Sequence, residues 1–289
     1  MSNKKKGFTD CAPTLTDSQV LEFCKQGYIL FKGVVPKEIN HMTMQYCDQD
    51  DYYEPTDILN EKWFIDNVIL NQEVSGAVRS LLGRNFYLPI LMSNHRMMAP
   101  FLQHTWHVDG NFHFGHELNY LQVFYYPQDT PLEMGPTEVL PGSHLVRNKA
   151  KFMAHLDGIA GTVSTTAPAG SIFITVYQIW HRRGRASGNG IRNMLKYFYW
   201  RNTPPKRDWI VEDKFDFATV DYASPIEPLF EQFRSDIKVA KMFLWLCGEY
   251  HKFQNLGGQS WPLPAHRNGI PYGFPEGLPR PASGQFKVK

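Results

Sequence analysis

The first regular pattern along the chain is Thr16-Asp-Ser-Gln19 leading into Val20, Leu21, Phe23 and Cys24. A threonine and a glutamine three apart can satisfy each other's backbone donors, so the stretch predicts a short amphipathic helix, closed by Gly27. Residues 28–35 read as a strand. Pro36 opens a second helix through about Cys47, and residues 72–82, with Gly83 behind them, read as a third. From Phe86 the texture changes to apolar runs of strand length at 86–92, 103–109, 118–126, 138–140, 162–167, 171–181 and 191–200. Turn clusters such as Pro141-Gly142-Ser143, Pro168-Ala169-Gly170 and Gly188-Asn189-Gly190 lie between them. Such a series fits an antiparallel sandwich or jelly roll better than a βαβ alternation. After Trp200 the pattern returns to helix from Pro225 to about Tyr250, with Leu229, Phe230, Phe233, Ile237, Ala240, Phe243 and Leu244 at helical spacing. Residues 255–289 are rich in Gly and Pro and predict an irregular segment: a lid, a tether across the core or a loose tail.

Composition narrows the picture. At 289 residues, with 43% hydrophobic and 14% aromatic residues, the chain can fill one large core, and a single domain over 1–289 is the expectation. It divides into a mostly helical part (1–85), a jelly-roll core (86–201), a helical extension (202–254) and the irregular end. Thirty basic residues against 28 acidic give a formal charge of +2, which offers no general attraction for nucleic acid or anionic membrane. Lys4-Lys5-Lys6 is followed by Gly-Phe-Thr-Asp rather than by an apolar run, and no stretch approaches the ~20 apolar residues of a membrane span. Cys11, Cys24, Cys47 and Cys247 are widely spaced and make no zinc pattern. They read as reduced thiols of a soluble, cytoplasmic protein.

The candidate chemistry centres on His104-Thr-Trp-His107-Val-Asp109-Gly110. In an extended strand alternate side chains share a face, so His107 and Asp109 converge while Val108 points away. A His-x-Asp triplet alone carries little, since one is expected about once by chance in such a chain. A third ligand must come from elsewhere, and the run 171–181 ends on His181; the ordinary alternative is a sheet-edge histidine bonded to backbone. Two imidazoles and one carboxylate leave coordination positions open and suit iron(II) and oxygen, whereas three nitrogen or sulfur ligands suit zinc. Eleven residues on, Arg192 shares strand parity with Met194 and Phe198 and is expected to face inward. A buried guanidinium needs an anion and its fork fits a carboxylate, either a ligand's or that of an Asp or Glu in the chain.

In four linked places the sequence resembles the phytanoyl-CoA dioxygenase family of iron- and 2-oxoglutarate-dependent oxygenases. They are His107-Val-Asp109, the stretch Met134-Gly-Pro-Thr-Glu-Val-Leu-Pro-Gly-Ser-His144, the run from Ala169-Gly-Ser to Trp180-His181-Arg182, and Arg192. The resemblance covers about residues 86–201, with an echo in Gly27-Tyr-Ile-Leu-Phe-Lys-Gly-Val-Val-Pro36. It implies a mainly β fold, a double-stranded β-helix (jelly roll, cupin-like) with flanking α-helices at the N-terminus and after the core. It also implies Fe(II) on His107, Asp109 and His181, the far carboxylate of 2-oxoglutarate on Arg192, and O2 as oxidant. Tyr125, sixteen positions after Asp109, falls where relatives place an aromatic residue against the co-substrate. Two departures are Glu133-Met134 where Asn-Gly is typical, and Arg183 where some relatives carry a small hydroxyl residue near 2-oxoglutarate.

The reaction so implied is hydroxylation, desaturation or oxidative cyclisation at an unactivated C–H of a small metabolite or natural-product intermediate, releasing succinate and CO2. Asp109 fills the place that halogenating relatives free for chloride. The loop 110–116, with Phe112, His113, Phe114 and His116, either lines the mouth or packs down. Arg182, Arg183 and Arg185 are the nearest candidates for a coenzyme A phosphate tail, and exposed arginines in a turn are usually just solvated. Two other readings stand beside this one: a cupin-like divalent-metal hydrolase or isomerase, and a non-catalytic jelly-roll binding protein. Neither consumes 2-oxoglutarate.

Overall fold

The computed structural model describes residues 7–49, 53–109, 115–146, 156–217, 219–223, 225 and 229–252, with backbone alone for 229–237 and 252. Its helices are α1 (Asp17–Gln26), α2 (Lys37–Cys47), the single turn α3 (Lys62–Phe64), α4 (Gln72–Leu82) and α5 (Leu229–Leu246). Each boundary has a local cause. Thr16 and Gln19 form the reciprocal capping box at the start of α1, and Gly27 ends it in the left-handed conformation at φ 81°. The Asn71 side chain accepts from the Val74 N–H to cap α4, and Gly83 follows its last residue. Among the described residues no helix is long and apolar enough to cross a membrane.

The strands are β1 (Phe8–Thr9), β2 (Tyr28–Phe31), β3 (Phe86–Tyr87), β4 (Ser93–Asn94), β5 (Met97–Phe101), β6 (Tyr120–Tyr126), β7 (Thr137–Val139), β8 (Val163–Ser164), β9 (Ser171–Val176), β10 (His181–Arg183), β11 (Ala186–Arg192) and β12 (Leu195–Trp200). Seven form one antiparallel sheet in the order β1-β3-β12-β6-β9-β2, with β4 also on β12. The order β10-β7-β8 and the pair β11-β5 supply the facing layer. The layers touch where the Thr137 N–H donates to the Tyr126 hydroxyl at 2.9 Å and where the Phe124 and His181 rings lie 5.8 Å apart. This is the expected jelly roll.

Register divides the large sheet into two faces. Leu121, Val123 and Tyr125 of β6 stand beside Val176, Ile174 and Ile172 of β9 and Tyr199, Tyr197 and Leu195 of β12. All nine are buried in the main core, with Val20 and Phe23 of α1, Val78 and Leu81 of α4, and Val239 and Phe243 of α5. Alternation sends the other residues of the same strands inward, and there polar and aromatic side chains replace aliphatic ones.

Three expected strands are corrected. Residues 103–109 are extended but form no ladder; they are held to β10 by the His104 N–H donating to the Arg183 carbonyl and by a reciprocal pair between His107 and His181. The long run 171–181 is cut by a turn at 177–178, after which His181 belongs to the other layer. Likewise 191–200 breaks at Asn193-Met194, so Arg192 and Lys196 lie in different sheets. In each broken run the chain crosses between layers, and an apolar pattern continues through a crossing because both layers bury the same core. Of 86–92 only Phe86 and Tyr87 pair, as β3, and the next strand, β4, begins just beyond the run at Ser93. Residues 110–114 and 255–289 lie outside the described residues.

Gly142 and His144, of the predicted turn, fasten the end of α1. The Gly142 N–H donates to the Gln26 carbonyl at 2.9 Å, and His144 Nε2 lies 3.0 Å from the Cys24 carbonyl. The His144 ring occupies the space a Cβ on Gly27 would need, at 2.4 Å. All four cysteines are free thiols.

Candidate active site

His107, Asp109 and His181 come together: one ligand atom from each lies within 4.8 Å of the others. His107 Nε2 is 3.8 Å from Asp109 Oδ1, and His181 Nε2 is 3.3 Å from Asp109 Oδ2. Each ring is oriented from behind, His107 Nδ1 sitting 2.8 Å from the Thr105 carbonyl and His181 Nδ1 3.1 Å from the Ile179 carbonyl. A carbonyl only accepts, so each Nδ1 carries the proton and each Nε2 presents a lone pair to the shared point. Burial, reinforced by the neighbouring His181, pulls the His107 pKa down to about 4, so its ring is neutral at pH 7. Burial alone would raise the Asp109 pKa, but His181 and Lys196 outweigh it and hold the group far below the usual carboxylate range. A neutral His107 and an ionised Asp109 are the protonation states a divalent metal requires of these ligands.

The Asp109 carboxylate is positioned by two residues the sequence reading missed. Lys196 Nζ donates to Oδ2 at 2.5 Å and Gln122 Nε2 to the same oxygen at 2.6 Å. A lysine inside Leu195-Lys-Tyr-Phe-Tyr-Trp and a glutamine inside Tyr120-Leu-Gln-Val-Phe-Tyr-Tyr were the available signals, since a polar residue within an apolar central strand needs a buried partner. His95 was missed as well. It continues the β4–β12 register opposite Met194, on the inner face, with its N–H on the Met194 carbonyl at 2.9 Å. Desolvation, with Lys196 and Arg192 nearby, lowers its pKa to about 4, although part of the residue reaches solvent.

Arg192 is 1% exposed and faces the interior. Its Nη2 donates to Thr137 Oγ1 at 3.3 Å, and the guanidinium lies 5.7 Å from the Tyr126 ring centre. Nε and Nη1 are buried with no hydrogen-bond partner, and among the described residues no carboxylate pairs with it. A desolvated cation with two open donors is costly unless an anion completes it. Burial lowers its pKa accordingly. Between this arginine and the histidines runs a packed aromatic floor, Phe124 stacked on Phe173 at 4.4 Å and Tyr126 5.6 Å from Phe173. Arg183, at the end of β10, shares the face of His181. Its Nε is buried without a partner, and burial followed by the charge of Arg192 lowers its pKa.

The structure corrects the expectation for Tyr125. Its parity in β6 turns it to the helix side of the sheet, where its hydroxyl donates to Asn40 Oδ1 at 2.7 Å within the core. The aromatic residue on the inner face, beside Arg192, is its neighbour Tyr126. Of the loop expected either to line the mouth or to pack down, His116 is described, and it stacks on Tyr250 at 4.3 Å.

The family model for phytanoyl-CoA dioxygenase matches residues 48–194, just over half of the chain. The protein belongs to this family and is a 2-oxoglutarate-dependent non-haem iron oxygenase. Among solved structures it is similar to HygX from Streptomyces hygroscopicus with nickel and 2-oxoglutarate bound, at 16% identity over 65% of this chain and 88% of HygX, TM-score 0.54. HygX with hygromycin B also bound gives 15% identity over the same shares and a TM-score of 0.52. SnoN, a non-haem α-ketoglutarate-dependent epimerase from nogalamycin biosynthesis, matches at 14% identity over 64% of this chain and 80% of SnoN, TM-score 0.50. At these identities the likeness establishes the shared fold. None of the curated proteins compared with the chain matches it.

Proposed function

We propose that His107, Asp109 and His181 hold the iron(II), that Arg192 receives the distal carboxylate of 2-oxoglutarate, and that the enzyme oxidises an unactivated C–H of a small natural-product-like molecule. The observation that carries this reading is the pairing of a preorganised two-histidine, one-carboxylate cluster with a buried guanidinium lacking an anion. The donor set fits iron, and the open Nε and Nη1 donors fit a carboxylate.

When bound, the iron and 2-oxoglutarate supply a two-electron oxidant from dioxygen, with succinate and CO2 as by-products. The chain's residues do the rest. The Thr105 and Ile179 carbonyls keep both imidazoles in the ligating tautomer, while Lys196 and Gln122 hold Oδ2 and leave Oδ1 toward the metal point. Arg192 fixes one end of the co-substrate and so its orientation, and Phe124, Phe173 and Tyr126 keep water from the space between. With Asp109 present the carboxylate position is filled, which favours hydroxylation, desaturation or oxidative cyclisation over halogenation. The small-molecule substrate is supported by HygX and SnoN, whose structures include complexes with hygromycin B and a nogalamycin compound. Helices and jelly roll act as one domain, since α1, α4 and α5 share the core of the large sheet.

The test is succinate formation from 2-oxoglutarate, measured with and without iron(II) and oxygen. Wild type requires both, and Asp109→Ala forms none above background. Near-normal turnover in that variant would remove the assignment.

A further inference from the structure

The cross-strand order of the inner face sets out a depth axis. Ser171 and Tyr126 pair at the arginine end, Phe173, Phe124 and Lys196 come next, then Thr175, Gln122 and Phe198, and the register continues to Tyr177, Tyr120 and Trp200. Gln122 touches Asp109, so the residues beyond it lie on the side of the metal cluster away from Arg192. If 2-oxoglutarate runs from the cluster toward Arg192, a substrate carbon must approach from this opposite side.

That side carries a chain of rings. Tyr120 and Tyr177 are 5.0 Å apart, Tyr177 and Phe198 5.6 Å, and Phe198 and Trp200 6.1 Å. All four are only partly buried, while Leu121, Val176 and Tyr199, on the reverse of the same strands, are at most 1% exposed. The rings therefore keep accessible surface that the reverse of the same strands does not. Among the described residues the Tyr120 and Tyr177 hydroxyls and the Trp200 indole N–H have no hydrogen-bond partner. Tyrosine and tryptophan combine a broad apolar face with a donor at one edge, which suits a ligand that is flat, apolar on its faces and oxygenated at its rim. An open aromatic cluster beside a metal cluster is also where a bound ligand gains most from leaving water. None of the four rings carries a charge, so the matching ligand is neutral at this contact.

We propose that Tyr120, Tyr177, Phe198 and Trp200 form the substrate platform, which takes a neutral ring bearing oxygen acceptors and stacks it so that a ring or ring-adjacent C–H faces the metal cluster. This rests on the function proposed above. Both a hydroxylated arene and a sugar-like ring have this chemistry, and the probes separate them.

The experiment uses the full chain loaded with iron(II) and 2-oxoglutarate without oxygen, titrated calorimetrically with 2-naphthol and, separately, with methyl β-glucoside. At least one binds, and which one assigns the ring as arene or sugar. Trp200→Leu weakens that probe about tenfold through lost stacking, with 2-oxoglutarate affinity at its wild-type value. Tyr177→Phe keeps the ring and the packing, and weakens the probe roughly threefold to tenfold through the lost hydroxyl. Binding of neither probe to wild type, or equal binding to wild type and both variants, overturns the platform. If instead wild type forms no succinate with iron and oxygen, it is the oxygenase reading that has failed.

Discussion

Arg79 and Arg192 are the same side chain, buried to the same degree, and their surroundings are opposite. Arg79 in α4 donates to Asp10 at 2.7 Å and to both oxygens of Asp208 at 2.9 and 3.0 Å. Burial alone would lower its pKa, but the Asp208 and Asp10 carboxylates more than compensate and raise it. Among the described residues Arg192 has no carboxylate partner, and it keeps two open donors and a lowered pKa. One charge is complete within the chain and holds structure; the other is incomplete and reserves its free energy for a ligand. The arginine without a carboxylate is thus the one that marks function.

Removing each partner in turn sharpens the contrast. Arg79→Ala leaves two carboxylates without their cation and costs about 3 kcal/mol of unfolding stability, the low end for a broken buried pair because Asp10 is 39% exposed. Urea unfolding measures it, and the 2-oxoglutarate requirement stays at the wild-type value. Adding 2-oxoglutarate at about one hundred times its dissociation constant to the iron-loaded wild type, without oxygen, raises stability by about 2.7 kcal/mol. In Arg192→Met the same addition gives much less, and the ligand-free variant is at least as stable as wild type because a desolvated unpaired charge is gone. A clear loss of ligand-free stability in Arg192→Met would mean that its charge already has a partner. Arg192→Ala raises the KM for 2-oxoglutarate by roughly 10- to 100-fold, the value of a hydrogen-bonded charge, with a smaller change in kcat.

The smallest effect concerns pH. Asp17 is fully buried and accepts from Arg207 at 2.7 and 2.6 Å, the Trp209 indole at 2.8 Å and the Glu212 N–H at 2.7 Å. Burial would raise its pKa, but these donors, Arg207 first, pull it below the ordinary 3.8. A carboxylate with a depressed folded pKa stabilises fully above its unfolded value and loses that contribution as pH falls through the folded one. The stability gap between wild type and Asp17→Asn is therefore constant near neutrality and narrows below about pH 4. Arg192→Met, which removes no carboxylate partner, shows no such acid limb.

Much of this was readable beforehand, for identifiable reasons. Helices α1 and α4 were legible to the residue because Thr16, Gln19, Gly27 and Gly83 act locally. His107 and Asp109 were legible because side chains alternate along any extended backbone, ladder or not. The breaks after Val176 and Arg192 were hidden, since hydrophobicity reports burial and not which layer does the burying. Tyr125 was misplaced by one position, which in a strand is the whole difference between the two faces. Lys196 and Gln122 announce locally only that a polar residue in an apolar strand needs a buried partner; which partner, like the place of His95, is set when strands distant in sequence pair.

The fit of the His144 ring against Gly27 makes two distant positions a single unit of inheritance. A methyl group at 27 has no room while an imidazole stands at 144, and shrinking 144 alone would open a void at the tail of the first helix. Chimeras that exchange the opening segment with that of a relative should therefore fold when both positions travel together and fail when one is left behind.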